Sequence, residues 1–192
     1  MSASKSNEMI VLSTIVVILL GITTGMPAGS ATRDPAPITF NSPNAQPDGY
    51  FGFSVAVSGT SMVVGAPQEY ANGLFHAGHV YVFSTAGSLL ATLTSPNAQT
   101  QGWFGNSVAI SGMTGEVGAP YEGGPGLSVS GRTYIFSARS FLINTLTSPN
   151  ALPGEAFGFS IAVDGPSLVV GALEGNPTGA GHAYLYATAF VR

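Results

Sequence analysis

Apolar and polar residues alternate along this chain in short bursts rather than in long helical runs. Phe53–Val57 alternates with period two and is followed by the turn residues Ser58-Gly59, the pattern of a half-buried strand. Met62–Gly65 is a second apolar run, stopped by Pro67, which has no N–H to give to a ladder. Val80–Phe83 is a third, rich in β-branched and aromatic residues, with Thr85-Ala86-Gly87 as its turn. Leu89–Thr94 is a fourth and ends at Ser95-Pro96. The region from residue 32 onward has no long stretch with the 3.6-residue helical period, which excludes alternating β and α units.

The N-terminus reads differently. Residues 1–8 are polar and carry Lys5; Met9–Ile22 is almost wholly apolar; small residues and one proline follow. The pattern predicts a hydrophobic N-terminal helix over residues 1–31. It has the parts of a secretory signal peptide, with cleavage after Ser30 or Ala31. An uncleaved anchor is the rival, since the run to Met26 has 18 residues, the short end of a membrane span. Either way the remainder, 32–192, is exported.

That remainder is a threefold repeat. The string SPNA starts at Ser42, Ser95 and Ser148, two steps of 53 residues. Twenty-six positions align from there without a gap, 42–67 with 95–120 and 148–173. Further on, residues 78–83, 131–136 and 181–186 align as GHVYVF, GRTYIF and GHAYLY. Four short strands in a unit of about 50 residues is the period of a β-propeller blade. The expected fold is therefore all-β: three four-stranded antiparallel blades, spanning 42–94, 95–147 and 148–192.

Phe51-Gly52 is followed by Gly65-Ala66-Pro67, Phe104-Gly105 by Gly118-Ala119-Pro120, and Phe157-Gly158 by Gly171-Ala172-Leu173. This spacing resembles the FG-GAP repeat, over residues 38–192, with the third copy lacking its proline. The resemblance implies the β-propeller of integrin α-subunit N-terminal regions and their prokaryotic relatives. Many such blades carry an Asp/Asn-rich calcium loop between strands one and two. Here those loops read SGTS, SGMT and DGPS, short of the several oxygen ligands calcium needs. The chain looks like the bacterial-type variant without that loop, and no metal or other cofactor is expected.

The third unit stops before its fourth strand. Ile38-Thr39-Phe40-Asn41 aligns with Ala91-Thr92-Leu93-Thr94 and is a candidate closing strand. Propellers have four to eight blades, and three are encoded. A homodimer that completes a six-bladed ring, an open arrangement, and a fragment of a longer propeller all remain open.

Composition narrows the function. Only 7% of residues are charged, nine acids against five bases, and there is no cysteine. A single lysine excludes the basic clusters that nucleic-acid binding requires. Absence of cysteine removes disulfides, thiolate nucleophiles and cysteine zinc sites. No G-x-S-x-G, P-loop or dinucleotide motif is present, so a non-enzymatic adhesion or interaction module is expected, with a carbohydrate-binding propeller or a structural cell-envelope component as alternatives.

Blade connectivity puts the long loops 4–1 and 2–3 on one face, the ligand-facing side in the integrin-like family. They carry Tyr50, Tyr70, Phe75, Trp103 and Tyr121, and the acids Asp48, Glu69, Glu122, Glu155 and Glu174. Long loops on a rigid scaffold are where binding concentrates, so Tyr50, Tyr70, Trp103, Tyr121, Asp48, Glu69 and Glu122 are the candidate contacts for a protein or glycan. The competing reading has the aromatics packing between blades and the acids solvating the surface. His76 and His79 supply too few ligands for a metal site; His79 aligns with Arg132 and His182, which suggests a polar strand entrance. Glu116 aligns with Val63 and Val169 inside a strand, where a carboxylate is costly unless paired; Arg132 and Arg139 are the candidate partners.

Overall fold

The computed structural model describes residues 36–124, 126, 129–173 and 179–187. The expected export helix over 1–31, and Glu174, lie outside the described residues. The chain divides into Met1–Ile38 and Thr39–Arg192, and every described strand belongs to the second unit.

Three antiparallel sheets make up that unit. The first is β1 (Ser54–Ser58), β2 (Ser61–Ala66), β3 (His79–Ser84) and β4 (Leu89–Thr94), paired in sequence order. The second repeats it as β5 (Ser107–Ser111), β6 (Thr114–Ala119), β7 (Arg132–Ser137) and β8 (Leu142–Leu146). The third has β9 (Ser160–Asp164), β10 (Ser167–Ala172) and β11 (His182–Ala187). The predicted strands fall within a residue or two of these. β10 ends at the same place as β2 and β6 although Leu173 stands where they are followed by proline, so proline is not what terminates the strand.

The sheets stack as blades, with β1 against β5 and β5 against β9. Strand alternation gives each blade two apolar faces. The rear face of the first blade supplies Val63, Val80 and Leu93, which meet Val108, Val117, Tyr134 and Phe136 on the front of the second. The rear of the second supplies Ile135, Ile143 and Leu146 to Ile161, Leu168 and Val170 of the third. Phe104 and Phe157 are fully buried at these two junctions. Each rests on the Tyr and aromatic of its own third strand, Phe104 on Tyr134 and Phe136, Phe157 on Tyr184 and Tyr186. Burying one such ring is worth about 2–3 kcal/mol.

The junctions also explain the repeated glycines. A Cβ on Gly65 would lie 2.1 Å from the Gly105 carbonyl oxygen, and one on Gly118 would lie 2.0 Å from that of Gly158. The second-strand glycine is thus required by the next blade's Phe-Gly, not merely by crowding near an axis. The same approach is bonded: Phe104 N–H donates to Ala77 O and Phe157 N–H to Ser130 O, both at 3.0 Å. Ser54 and Ser107 hydroxyls donate across the junction to Gly105 O and Gly158 O at 2.7 Å.

Residues 39–41 form no strand and do not pair with β11 within the chain. Instead Phe40 packs edge-on against Phe83, with ring centroids 5.1 Å apart. Opposite the loop-rich end, a small cleft opens between the first two blades beside Gly115, lined by Val63, Leu93, Ile110 and Phe136. It exists because the second blade has glycine where the others have Met62 and Leu168.

Two substitutions should therefore move stability in opposite directions. Gly118→Ala forces a methyl onto the Gly158 carbonyl and should cost about 2 kcal/mol or more. Gly115→Met has room, since only Ala109 O comes within 4 Å of its Cβ, at 3.8 Å, and should stabilise by about 1 kcal/mol. Urea denaturation of both variants checks this; equal effects would contradict the junction geometry.

Candidate functional site

The 4–1 and 2–3 loops do lie together, and local chemistry shows how. Gln46 grips the 2–3 loop of its own blade by accepting from Tyr70 N–H at 2.8 Å and donating to Tyr70 O at 3.4 Å. Gln99 does the same to Gly123, at 2.9 and 3.1 Å. Between blades, Gln101 N–H donates to Phe75 O at 2.7 Å and Trp103 N–H to His76 O at 3.2 Å. At the opposite end the short turns stack instead, Gly112 N–H on the Ser58 hydroxyl and Gly165 N–H on that of Ser111.

This geometry carries the first two blades' aromatics onto one surface. Tyr70 meets Phe75 edge-on at 5.2 Å, and Phe75 stacks on His76 at 3.5 Å. The loop that bonds to Phe75 and His76 holds Trp103, which meets Tyr121 edge-on at 4.9 Å. Tyr50, Tyr70 and Phe75 are exposed, while Trp103 and Tyr121 are half-buried. Tyr50 is apart from this group and leans on Phe53 of its own blade. Asp48 is exposed. Tyr50 and Trp103 have φ of 53° and 54°, and Ala156 at the same loop position has 53°. Bulky residues rarely adopt that left-handed region; here it turns the chain sharply into each Phe-Gly.

Glu69 and Glu122 are not on that surface. Both are buried, and each carboxylate is the centre of a staple joining its blade's loops to its third strand. Glu69 accepts from Tyr81 OH at 2.5 Å, from the Ser42 hydroxyl, and from Asn44 at 3.5 Å; His79 Nδ1 lies 3.1 Å away. Glu122 accepts from Tyr134 OH and from Asn97 at 3.5 Å, with Arg132 Nε at 3.9 Å. The aligned position His79/Arg132 thus sets a side-chain nitrogen beside the carboxylate. This gives the polar strand entrance a specific job. Sequence reasoning missed Ser42, Tyr81 and their counterparts, although their recurrence in SPNA and GHVYVF marked them.

The third blade rebuilds the staple from another backbone position. Ser148 donates to Glu155 at 2.5 Å, as does Tyr184 OH at 3.3 Å. Glu155 aligns not with Glu69 and Glu122 but with Gly49 and Gly102. The two positions compete for one space: a Cβ on Gly49 would lie 2.7 Å from Glu69 Cγ, and one on Gly102 2.9 Å from Glu122 Cγ. Among the described residues each blade's staple centres on one carboxylate, and in the third blade that carboxylate is tethered to the 4–1 loop.

Burial pushes Glu122 up from its ordinary value, partly offset by Ser95, Tyr134, Asn97 and Arg132. Burial also raises Glu69, but donation from His79, Ser42 and Tyr81 outweighs it and the net shift is downward. The difference follows position, since among the described residues no blade covers the front of the first. Tyr81 and Tyr134 are both driven up by burial and by the carboxylate beside them.

Glu116 is also buried, against the third blade, beside its cross-strand neighbour Ile135. The expected arginine partners are elsewhere: Arg132 sits by Glu122, and Arg139 is exposed. One carboxylate oxygen lacks a hydrogen-bond partner, and burial pushes the group up to about 7. Among the described residues, no three His, Cys, Asp or Glu cluster as metal ligands.

Stacked antiparallel sheets of four, four and three described strands, joined at two junctions by a Phe-Gly laid on the preceding blade's glycine, define a protein of β-propeller blades. The FG-GAP repeat profile matches residues 41–83, 88–136 and 142–186, and the chain belongs to that family. No curated protein matches it significantly. Among solved structures it is similar to the crystal structure of the computationally designed Ika4 protein, at 11% identity and TM-score 0.37, covering 74% of this chain and 93% of that one.

Two tests follow from the carboxylates. Gly102→Glu and Glu122→Gly should each destabilise, while the double variant, which copies the third blade, should recover on the order of 2 kcal/mol in a double-mutant cycle; additive losses would refute the shared space. For Glu116, a folded value near 7 against an ordinary 4.5 means the native state holds the proton more tightly. Its contribution is best below pH 4.5, worsens as pH rises through 7, and then levels off. Glu116→Val should therefore gain about 3 kcal/mol more over wild type at pH 8.5 than at pH 4. A pH-independent difference between the two proteins would contradict this.

Proposed function

We propose that the chain is a non-enzymatic, exported interaction module that binds a protein partner through its 4–1 and 2–3 loops at the cell surface. The observation that carries this reading is the aromatic surface of Tyr70, Phe75, Trp103 and Tyr121, spread across two blades and held by backbone bonds between their loops. Aromatic side chains offer large contact area at small entropic cost and are enriched in interface anchors. Membership of the FG-GAP family supports an interaction module of propeller type, and such repeats are typical of extracellular and surface proteins. The buried staples make these loops rigid, which reduces the ordering cost of binding.

A carbohydrate ligand is the second reading, favoured by the same exposed rings, since aromatic faces also stack on sugars. Trp103 is the single tryptophan, so its fluorescence reports occupancy of the surface directly. Arrays of overlapping peptides from surface proteins and arrays of glycans should be probed with wild type and with the Trp103→Ala, Tyr70→Ala double variant. The expected result is peptide binding that falls at least tenfold in the variant with circular dichroism unchanged. Glycan binding lost in the variant would move the reading to carbohydrate, and binding untouched by the double variant would remove this surface from consideration.

A further inference from the structure

Both ends of the blade stack expose half of an interface whose complete form occurs twice inside the chain. On the front of the first blade, Val55 and Val57 are 66% and 67% exposed, whereas Val108 at the matching position of the second blade is 8% exposed. On the rear of the third, Leu185 is 72% and Val169 39% exposed, whereas Val63 at the matching position is 3% exposed. Phe51 is half-buried and Gly52 exposed, while Phe104 and Phe157 are fully buried.

The glycines show the same asymmetry. Gly78 and Gly131 receive the carbonyls of Phe104 and Phe157, each 2.1 Å from where a Cβ would stand. Gly181 matches them, but among the described residues only Ala172 O comes near its Cβ position, at 3.1 Å. Gly171 matches Gly65 and Gly118, yet among the described residues the atoms nearest its Cβ position belong to Ser160 of its own blade. At the other end, nothing lies within 4 Å of a Cβ on Gly52, whereas Gly105 and Gly158 there meet the preceding blade's backbone. The acceptor glycines of the third blade and the Phe-Gly of the first are complementary, and neither is engaged by another blade among the described residues.

Phe40 names the occupant. In the inner junctions Leu93 lies with Phe104 and Phe136, and Leu146 with Phe157 and Tyr186, each from the fourth strand of the preceding blade. Phe40 aligns with Leu93 and lies with Phe83 and Phe51. It therefore occupies the place of a fourth-strand residue from a blade that would precede the first. The third blade ends at the edge of β11, with no described fourth strand.

We propose that a second copy of this chain docks head to tail, its third blade on the first blade of its neighbour. Phe51-Gly52 of one copy then lies on Gly171 and Gly181 of the other, and Thr39–Asn41 pairs with the outer edge of β11, which no described strand occupies. The inner blades set the register: Val80 faces Leu93 and Thr133 faces Leu146, so Ala183 should face Phe40. Two copies give six blades, the one multiple of three within the usual range of four to eight, and both junctions of that ring are the same heterologous contact.

Light scattering on the full exported protein at about 20 μM should give twice the mass of one chain. Val55→Asp and Leu185→Asp alter residues exposed in the single chain, so both should fold, and each should raise the dissociation constant at least tenfold. Mixing the two variants should restore dimer in part, because one junction of the mixed pair carries neither charge. Phe40→Ala should weaken association without changing the fold of the blades. A wild-type monomer, an open-ended ladder of higher masses, or a dimer indifferent to both Asp substitutions would overturn the proposal.

Discussion

The approach of one backbone to another at the Phe-Gly of each blade is the contact on which this structure depends. Glycine at the end of the second strand leaves a gap, and the following blade's Phe-Gly carbonyl fills it. The gap is too tight for a methyl group, so the side chain that is missing matters as much as those present. Once the carbonyl is seated, a serine hydroxyl and the Phe amide hydrogen-bond across the junction. The ring of that Phe then closes the apolar seam between two sheets.

The aromatic surface is a consequence of the same contact. The bonds from Gln101 and Trp103 to Phe75 and His76 continue the ladder that seats Phe104, so the step that locks blades also brings aromatic loops of adjacent blades together. The carboxylate staples act within each blade and fix the loops from beneath. Their variation is informative: in the third blade the described carboxylate of the staple comes from the 4–1 loop, as Glu155, instead of from the 2–3 loop. The position of the charge is retained while the residue that provides it is not, which marks the staple as part of the scaffold rather than of a ligand site.

Much of the fold was legible because the repeat supplied its own alignment. Period-two alternation located the strands, and the unbroken match of 42–67 with 95–120 and 148–173 gave the blades. The loop face followed from connectivity. What was not legible was depth. Glu69 and Glu122 lie in loops, where charge is ordinarily solvated, and only the return of the third strand's tyrosine shows that they point inward. Arg132 looked available to Glu116 because both lie in the second blade; the register instead pairs Glu116 with Ile135 and Arg132 with Ala119, on the opposite face, from where Arg132 reaches Glu122 in the following loop. The shared space of Gly102 and Glu122 spans two loops and has no local signature.

Native-state hydrogen exchange of the Phe104 and Phe157 amides tests the junction most directly. If seating of each Phe-Gly holds the blades together, these two loop amides should exchange only on global unfolding, as slowly as the amides of the central strands β2 and β6, and Gly118→Ala should release Phe157 first. Exchange of either amide at rates typical of open loops, with the strands still protected, would contradict the account.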